Sequence, residues 1–248
     1  MTDTPTAVTD TDVQHAMDGY WDGRAPAYDD HQQRTQTPPI RAFWRDLWRD
    51  ALPAAPVDVL DAGTGSGEVA VLLAELGHRV TGIDTADGML TIARDRAVAA
   101  TFAPVWQQGD AVAPPFGPAT FDVVSSRYVL WTLRDPLTAL RNWHGVLRPG
   151  GRLVAVDGNW FPQGIHRSDG GPADKLPDFQ RAYDRDVAAS LPLAEQDSMA
   201  VAAATIEAAG FVDVTVTPLP ELERLQRAAD VDSDHEITQQ FLVTATKR

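Results

Sequence analysis

Three consecutive segments decide the fold: VDVLDAGTGSG at residues 57–67, EVAVLLAEL at residues 68–76 and RVTGID at residues 79–84. A short apolar strand runs into a loop in which three glycines alternate with small residues, and a helix begins directly after the loop. Glycine lets the backbone turn tightly and approach a ligand closely, while the first helical turn offers unpaired N–H groups. Since ligands of open α/β sheets bind beyond the carboxyl ends of the strands, the loop predicts a binding site.

The alternation of strands and helices continues on the C-terminal side of this stretch. The sequence predicts helices at 87–99, 136–147 and 199–209, and strands at 105–107, 121–125, 152–157, 212–217 and 240–246. Strands alternating with helices of this length form βαβ units, whose right-handed crossovers place helices on both faces of a parallel sheet. The last two strands follow one another without a strong helical pattern, which predicts an antiparallel C-terminal edge.

The N-terminal region predicts two helices. The first covers residues 12–32, is capped by residue 11 or 12, and is expected to break near Gly23 and Pro26. The second starts after the prolines at 38–39 and carries one apolar stripe. Residues 158–198 do not continue the alternation, so they form an insertion.

Composition and charge exclude several classes of function. The chain has 248 residues, a net charge of −14 and no cysteine. The acidic field repels phosphates, so we expect neither nucleic acid nor an anionic membrane as a partner. Disulfides, zinc–thiolate sites, iron–sulfur clusters and cysteine nucleophiles are excluded, and no metal is expected. The sequence has no apolar run of about 18 residues that could span a bilayer, and its first segment is unlike a secretory signal. We therefore expect a cytoplasmic protein.

Three classes of ligand compete for the glycine loop. A P-loop requires a lysine that the sequence does not provide after Gly63, and a dinucleotide fingerprint requires a third glycine at the position of Glu68. An acidic residue at the start of a helix also repels a pyrophosphate. A cationic nucleoside without phosphate is the third class, and it suits the acidic surroundings.

The ordered motifs resemble those of class I S-adenosylmethionine-dependent methyltransferases, in particular the small-molecule, UbiE-like group (methyltransferase type 11). The motifs are LDAGTGSG at 60–67, GID at 82–84, GDA at 109–111, FDVV at 121–124 and LRPGGRL at 147–153, with the similarity extending over residues 15–160. The resemblance implies a Rossmann-like, seven-stranded, mostly parallel sheet and an N-terminal helical lid. It also implies methyl transfer from S-adenosyl-L-methionine, leaving S-adenosyl-L-homocysteine, to the O, N or C atom of a small organic acceptor.

The resemblance also implies a division of the chain and a set of cofactor-binding residues. It predicts a single domain over 1–248, with lid helices in 1–50, a cofactor-binding half in 51–157, a substrate-side insertion and helix in 158–210, and C-terminal strands in 211–248. The residues that it places at the cofactor are Tyr20, Tyr28, Asp61, Gly63, Thr64, Gly65, Asp84, Thr85, Met89, Asp110, Ala111 and Arg127. The two oxygens of the Asp84 carboxylate match the vicinal diol of a ribose, although this residue can also cap a helix. Asp110 would accept a hydrogen bond from the adenine amino group, and Met89 would pack near the adenine or in the core.

The catalytic residues are less well defined by the sequence. Methyl transfer from a sulfonium is an in-line displacement that depends mainly on proximity and orientation, and a general base is needed only for some acceptors. Candidates for the base are His31, Asp157 and His166. A non-catalytic S-adenosylmethionine-binding protein and a dinucleotide-dependent oxidoreductase are the alternatives to an enzyme that acts on a small molecule as a monomer or homodimer.

Overall fold

A seven-stranded sheet carries the fold of the computed structural model, which describes residues 9–98, 103–166, 176–229 and 237–248. The strands are β1 (Asp58–Ala62), β2 (Arg79–Asp84), β3 (Val105–Gln108), β4 (Phe121–Arg127), β5 (Leu147–Gly158), β6 (Val212–Pro218) and β7 (Gln240–Thr246). Their order in the sheet is β3-β2-β1-β4-β5-β7-β6. Strands β1 to β5 pair in parallel, so their carboxyl ends meet at one edge of the sheet.

The fold class predicted from the sequence is confirmed, and the structure locates the antiparallel strand. Strand β7 runs antiparallel to both of its neighbours, β5 and β6. The edge of the sheet is therefore β6, and the antiparallel strand lies one position inside it. Strand β5 is also longer than predicted, because residues 147–151 pair with the start of β4 and with the backbone of Lys247.

Helices cover both faces of the sheet. They are α1 (Asp10–Thr35), α2 (Pro38–Ala51), α3 (Glu68–Glu75), α4 (Asp87–Val98), α5 (Pro136–Val146), α6 (Leu176–Ala182), α7 (Arg185–Ala189), α8 (Ala200–Ala208) and α9 (Pro220–Ala228), with one 3-10 turn at Leu130–Thr132. Helices α5 and α8 pack around Trp143 on one face, and α2, α3 and α9 pack around Trp48 on the other. No helix within the described ranges is both long and apolar enough to cross a bilayer.

The first helix differs from its sequence prediction. Helix α1 continues through Gly23 and Pro26 without the expected break, and its N-cap is Thr9 in a capping box with Asp12. Proline removes the N–H that would pair with the Asp22 carbonyl, but Asp22 is exposed, so water can satisfy that oxygen. Burial of neighbouring residues such as Ala25 against α4 offsets the remaining cost.

Three helices lie in segments where the sequence prediction had none. Helices α6 and α7 lie in the insertion, and α9 lies in the acidic stretch between β6 and β7. Local features mark α9 in retrospect: Pro220 in its first turn, acidic residues in that turn, and Arg227 in its last turn. The remainder of that acidic stretch, residues 230–236, falls outside the described residues.

Candidate functional site

The three glycines of the loop between β1 and α3 have different roles. Gly63, Gly65 and Gly67 all have positive φ, at 68°, 54° and 80°. A Cβ on Gly63 would lie 2.4 Å from the side chain of Val129, and one on Gly67 would lie 2.6 Å from Trp106. A Cβ on Gly65 would meet nothing within 4 Å. Gly63 and Gly67 therefore permit close packing, whereas Gly65 leaves open space beside the loop.

Asp84, at the end of β2, fixes this loop in place. Its carboxylate accepts hydrogen bonds from the backbone N–H of Gly65 at 2.8 Å and of Ala86 at 3.0 Å. Desolvation raises the pKa of the Asp84 carboxyl to about 6. Each oxygen has accepted one N–H and keeps a further lone pair, so the carboxylate can receive two more donors from a ligand.

Asp61 supports the loop from below. Its buried carboxylate accepts hydrogen bonds from the hydroxyls of Thr64 at 2.7 Å and Ser125 at 2.8 Å. Burial raises the pKa of the Asp61 carboxyl to about 6. Asp61 and Thr64 therefore shape the loop from the inside, and neither borders the open space above it.

A cavity of about 270 Å³ lies over the carboxyl ends of the central strands. Nine of the twelve residues predicted at the cofactor border it: Tyr28, Gly63, Gly65, Asp84, Thr85, Met89, Asp110, Ala111 and Arg127. Tyr20 does not, because its ring packs edge-on against Phe179 and Tyr183 in an aromatic cluster. The sequence prediction missed further residues of the lining, among them Gln14, Met17, Trp21, Tyr128, Trp131, Arg134, Trp160 and Phe161.

The β3 side of the cavity contains an ion pair. The Asp110 carboxylate accepts from the guanidinium of Arg134 at 2.6 Å and from the backbone N–H of Val112 at 2.8 Å. Arg134 follows the 3-10 turn and reaches this carboxylate across the cavity edge. No spacing in the sequence connects Arg134 with Asp110, so only the fold reveals the pair.

Arg127, at the end of β4, forms a second ion pair. Its guanidinium donates to Glu68 at 2.5 Å and lies 5.1 Å above the ring of Trp44. Glu68 occupies the position where a dinucleotide fingerprint has its third glycine. An ion pair at the start of α3 thus takes the place of a close glycine contact.

Aromatic side chains form the wall of the cavity that follows β4 and β5. This aromatic wall consists of Tyr128, Trp131, Trp160 and Phe161. The rings of Tyr128 and Trp160 meet edge-to-face at 5.0 Å, and those of Trp131 and Phe161 at 5.3 Å. Tyr128 has a positive φ of 64°, which is strained for a residue with a side chain, and its hydroxyl donates to Gln240 at 2.5 Å.

Helix α1 forms one side of the cavity. Four of its residues border the cavity: Gln14, Met17, Trp21 and Tyr28. The helix is tied down by hydrogen bonds from Gln14 to the Thr85 hydroxyl at 3.2 Å and from the Gly88 N–H to Asp22 at 2.8 Å. An ion pair between Asp29 and Arg96 of α4 is the third of these contacts. These contacts hold the α1 side of the cavity in place.

None of the three candidate bases borders the cavity. His31 lies in the last turns of α1. His166 is half-buried, and its Nε2 has no hydrogen-bond partner within the described residues. Asp157 is 1% exposed, and burial raises the pKa of its carboxyl to about 6.

A model of the methyltransferase domain matches residues 60–155. This range contains the glycine loop, Asp84, Asp110 and Arg127. Residues 60–155 carry a methyltransferase domain. The family resemblance noted in the sequence is thereby confirmed.

Relatives of the methyltransferase domain include enzymes that act on quinones. The chain is 34% identical to the 2-phytyl-1,4-naphtoquinone methyltransferase of Synechococcus elongatus over 57% of its own length and 63% of the relative's. It is 39% identical to the demethylmenaquinone methyltransferase of Thermus thermophilus, over 48% of its own length and 57% of the relative's. The chain thus spans about three fifths of these relatives.

Solved structures share the fold at low sequence identity. A methyltransferase of Thermotoga maritima, described as a possible histamine N-methyltransferase, covers 94% of the chain and is itself fully covered, with a TM-score of 0.63 and 17% identity. Phosphoethanolamine N-methyltransferase 2 of Haemonchus contortus, in complex with S-adenosyl-L-methionine, covers 83% of the chain with 52% of its own length, at a TM-score of 0.61 and 18% identity. Both likenesses support the fold of the methyltransferase domain and its helical surroundings.

Proposed function

We propose that the protein transfers a methyl group from S-adenosyl-L-methionine to a small organic acceptor. The observation that carries this proposal is the arrangement of Gly65 and Asp84. Gly65 has a left-handed backbone conformation and leaves open space beside the loop. The Asp84 carboxylate, which binds the Gly65 N–H, keeps two lone pairs that can accept hydrogen bonds from a ligand. That combination fits a ribose diol beside a thioether chain, and it offers no cation to a pyrophosphate.

The proposed cofactor site extends along the ends of three strands. The backbone at Gly63 and Gly65 would pass under the methionine part, Asp84 would accept from both ribose hydroxyls, and Asp110 would accept from the adenine amino group. Arg134 already uses one oxygen of Asp110, but a carboxylate oxygen can accept a second donor. When bound, S-adenosylmethionine supplies an activated methyl group on a sulfonium.

The chain's own part in the reaction is positional. Helix α1 and the aromatic wall would exclude water from the reacting atoms and hold the acceptor in line with the methyl group. No candidate base borders the cavity, so an acceptor that must lose a proton would release it to water or to a group that substrate binding brings closer. His31, His166 and Asp157 stay predictions as bases.

The aromatic wall favours a planar, mainly apolar acceptor. Flat rings stack on, or meet edge-on, Trp131, Trp160 and the neighbouring aromatic side chains. Among the described residues that border the cavity, the two arginines are both paired with carboxylates, which offsets their charge toward an anionic acceptor. The quinone methyltransferases among the relatives act on acceptors of this shape.

Two measurements test the proposal. Calorimetry with S-adenosylmethionine and with NADH distinguishes the methyltransferase from an oxidoreductase, and we expect binding of the first compound alone. Incubation with methyl-labelled S-adenosylmethionine and a pool of metabolites should then yield a mass-shifted product. Cofactor binding without any labelled product would favour the non-catalytic binder, and NADH binding would refute the assignment.

We also propose the wider organisation that the sequence predicts. It comprises one domain over residues 1–248, divided as described above, in a cytoplasmic monomer or homodimer without nucleic-acid or membrane partners. The charge of −14 supports the absence of nucleic acid. Gel filtration with light scattering tests the oligomeric state, and limited proteolysis tests the division of the chain.

A further inference from the structure

Asp157 lies directly behind the aromatic wall, at the end of β5. One carboxylate oxygen accepts from the Gly158 N–H at 2.8 Å and from the indole Nε1 of Trp160 at 2.6 Å. The other accepts from the backbone N–H of Leu130 at 2.7 Å. The carboxylate does not border the cavity, so it cannot touch a ligand there.

The three donors belong to two separate segments of the chain. The Leu130 N–H opens the 3-10 turn that carries Trp131, and the Trp160 indole belongs to the segment that follows β5. Trp131 and Trp160 both border the cavity, and each packs against another ring of the aromatic wall. One buried carboxylate therefore fixes the separation of the two tryptophans.

The order of strands places this pair on the acceptor side of the cavity. Asp84 ends β2 and Asp110 follows β3, and both strands lie on one side of β1. The aromatic wall follows β4 and β5 on the other side. If the cofactor occupies the β2 and β3 side, as the proposed function requires, the acceptor meets the aromatic wall.

We propose that Asp157 is a positioning residue that determines acceptor affinity without contributing to cofactor affinity. This inference rests on the proposed function and gives Asp157 a role other than that of a base. A carboxylate suits the role because it only accepts hydrogen bonds and can accept all three at once. Asparagine has a single acceptor oxygen, and its NH2 group would face an N–H donor, so one of the two tryptophan segments would be released.

The test compares two ligands in three variants. The variants are Asp157→Asn, Trp160→Phe, which removes the indole N–H but keeps an aromatic ring, and Asp122→Asn as the control. Asp122 also accepts a backbone N–H, that of Asp58 at 2.8 Å, and pairs with Arg148 at 2.8 Å, but it lies at the opposite end of β4. The ligands are S-adenosylhomocysteine, and 1-naphthol as an uncharged planar probe added to the protein saturated with S-adenosylhomocysteine. Calorimetry measures both affinities, and near-ultraviolet circular dichroism reports the packing of the tryptophans.

We expect Asp157→Asn to weaken 1-naphthol binding by about tenfold, as for the loss of one hydrogen bond to a charged group. The affinity of the Asp157→Asn variant for S-adenosylhomocysteine should stay within about twofold of the wild-type affinity, well below a tenfold change. Trp160→Phe should change binding in the same direction and by less, and Asp122→Asn should change neither affinity.

Two results would overturn the inference, and a third would overturn the proposed function. Unchanged 1-naphthol affinity in folded Asp157→Asn, or equal losses for both ligands, would show that Asp157 has no selective role. Wild-type protein that binds S-adenosylhomocysteine but not 1-naphthol would contradict an acceptor pocket at the aromatic wall, and the inference with it. Wild-type protein that does not bind S-adenosylhomocysteine would refute the cofactor site itself. If Asp157→Asn does not fold, Asp157→Glu, which displaces the carboxylate by one methylene, takes its place in the same comparison, because Trp160 belongs to the aromatic wall itself.

Discussion

Replacing Asp84 by alanine should weaken binding of S-adenosylhomocysteine and leave the sheet folded. The carboxylate lies at the end of β2, bordering the cavity, and the hydrophobic clusters do not include it. The substitution removes two oxygens that can accept the ribose hydroxyls. It also releases the N–H of Gly65, whose 2.8 Å bond to Asp84 holds the loop beside the proposed methionine site.

The expected loss follows from the number of hydrogen bonds and their surroundings. A hydrogen bond to a charged group contributes about 1.5–3 kcal/mol. Two ribose bonds and two backbone bonds, those from Gly65 and Ala86, are lost, but water enters the vacated space and satisfies the freed donors. We therefore expect a loss of about 1.5–3 kcal/mol in total, which raises Kd by about 10- to 150-fold.

Calorimetry of S-adenosylhomocysteine binding measures this change, and thermal unfolding monitors the fold. Asp87→Ala is the matched control, because Asp87 starts the adjacent helix, is exposed and pairs only loosely with Arg94 at 3.5 Å. The control should bind like the wild type. A folded Asp84→Ala protein with wild-type affinity would refute the assignment of Asp84 to the ribose.

Three more predictions concern the same cavity. The pKa of the Asp84 carboxyl is raised to about 6, and ribose hydroxyls favour its ionised form, so affinity for S-adenosylhomocysteine should fall as pH decreases below 6, by at most about tenfold per pH unit. In calorimetry between pH 5 and 7.5, Asp84→Asn should flatten this profile, and a flat wild-type profile would contradict the prediction. Gly65→Val should abolish binding of S-adenosylhomocysteine, since a β-branched residue disfavours the φ of 54° and fills the open space. The control Gly117→Val, at an equally open glycine without positive φ, should bind normally, and tight binding by the Gly65 variant would show that this loop does not bind the cofactor. Cleavage by trypsin at Arg24 or Arg34 in α1 should slow when S-adenosylhomocysteine is present, and removal of residues 1–34 should leave a folded sheet with little methyl transfer. Equal cleavage rates with and without ligand, or full activity of the truncated chain, would show that α1 only packs against the sheet domain.

The parallel part of the fold could be predicted from the sequence because each βαβ unit is encoded locally. Strand β1, the glycine loop and helix α3 follow one another within 18 residues, and burial on both faces leaves a mainly apolar strand such as β1 few alternatives. The prediction for α1 failed for the complementary reason. Gly23 and Pro26 are local breakers, and contacts with α4, distant in sequence, outweigh them.

The candidate site likewise contains residues that local motifs predict and residues whose positions depend on contacts distant in sequence. Residues in motifs at strand ends, such as Gly65, Asp84 and Asp110, were predicted from the sequence and do border the cavity. Arg134 and the aromatic wall were missed, because their positions depend on how the segments after β4 and β5 fold back over the sheet. Tyr20 shows the opposite error: the neighbouring Trp21 and Tyr28 face the cavity, and the helical turn directs Tyr20 into an aromatic cluster instead.

The position of β7 has a consequence for the order in which the protein is completed during synthesis. Asp157 and Gly158 pair with Phe241 and Gln240, and the Gln240 side chain receives the Tyr128 hydroxyl. A nascent chain that ends before residue 240 can assemble β1 to β4 with the glycine loop, but β5 has an open edge and β6 has no partner strand. Strand β7 must therefore emerge from the ribosome before the aromatic wall that follows β4 and β5 takes its final shape. Stalled chains of increasing length should acquire affinity for S-adenosylhomocysteine before they acquire affinity for 1-naphthol.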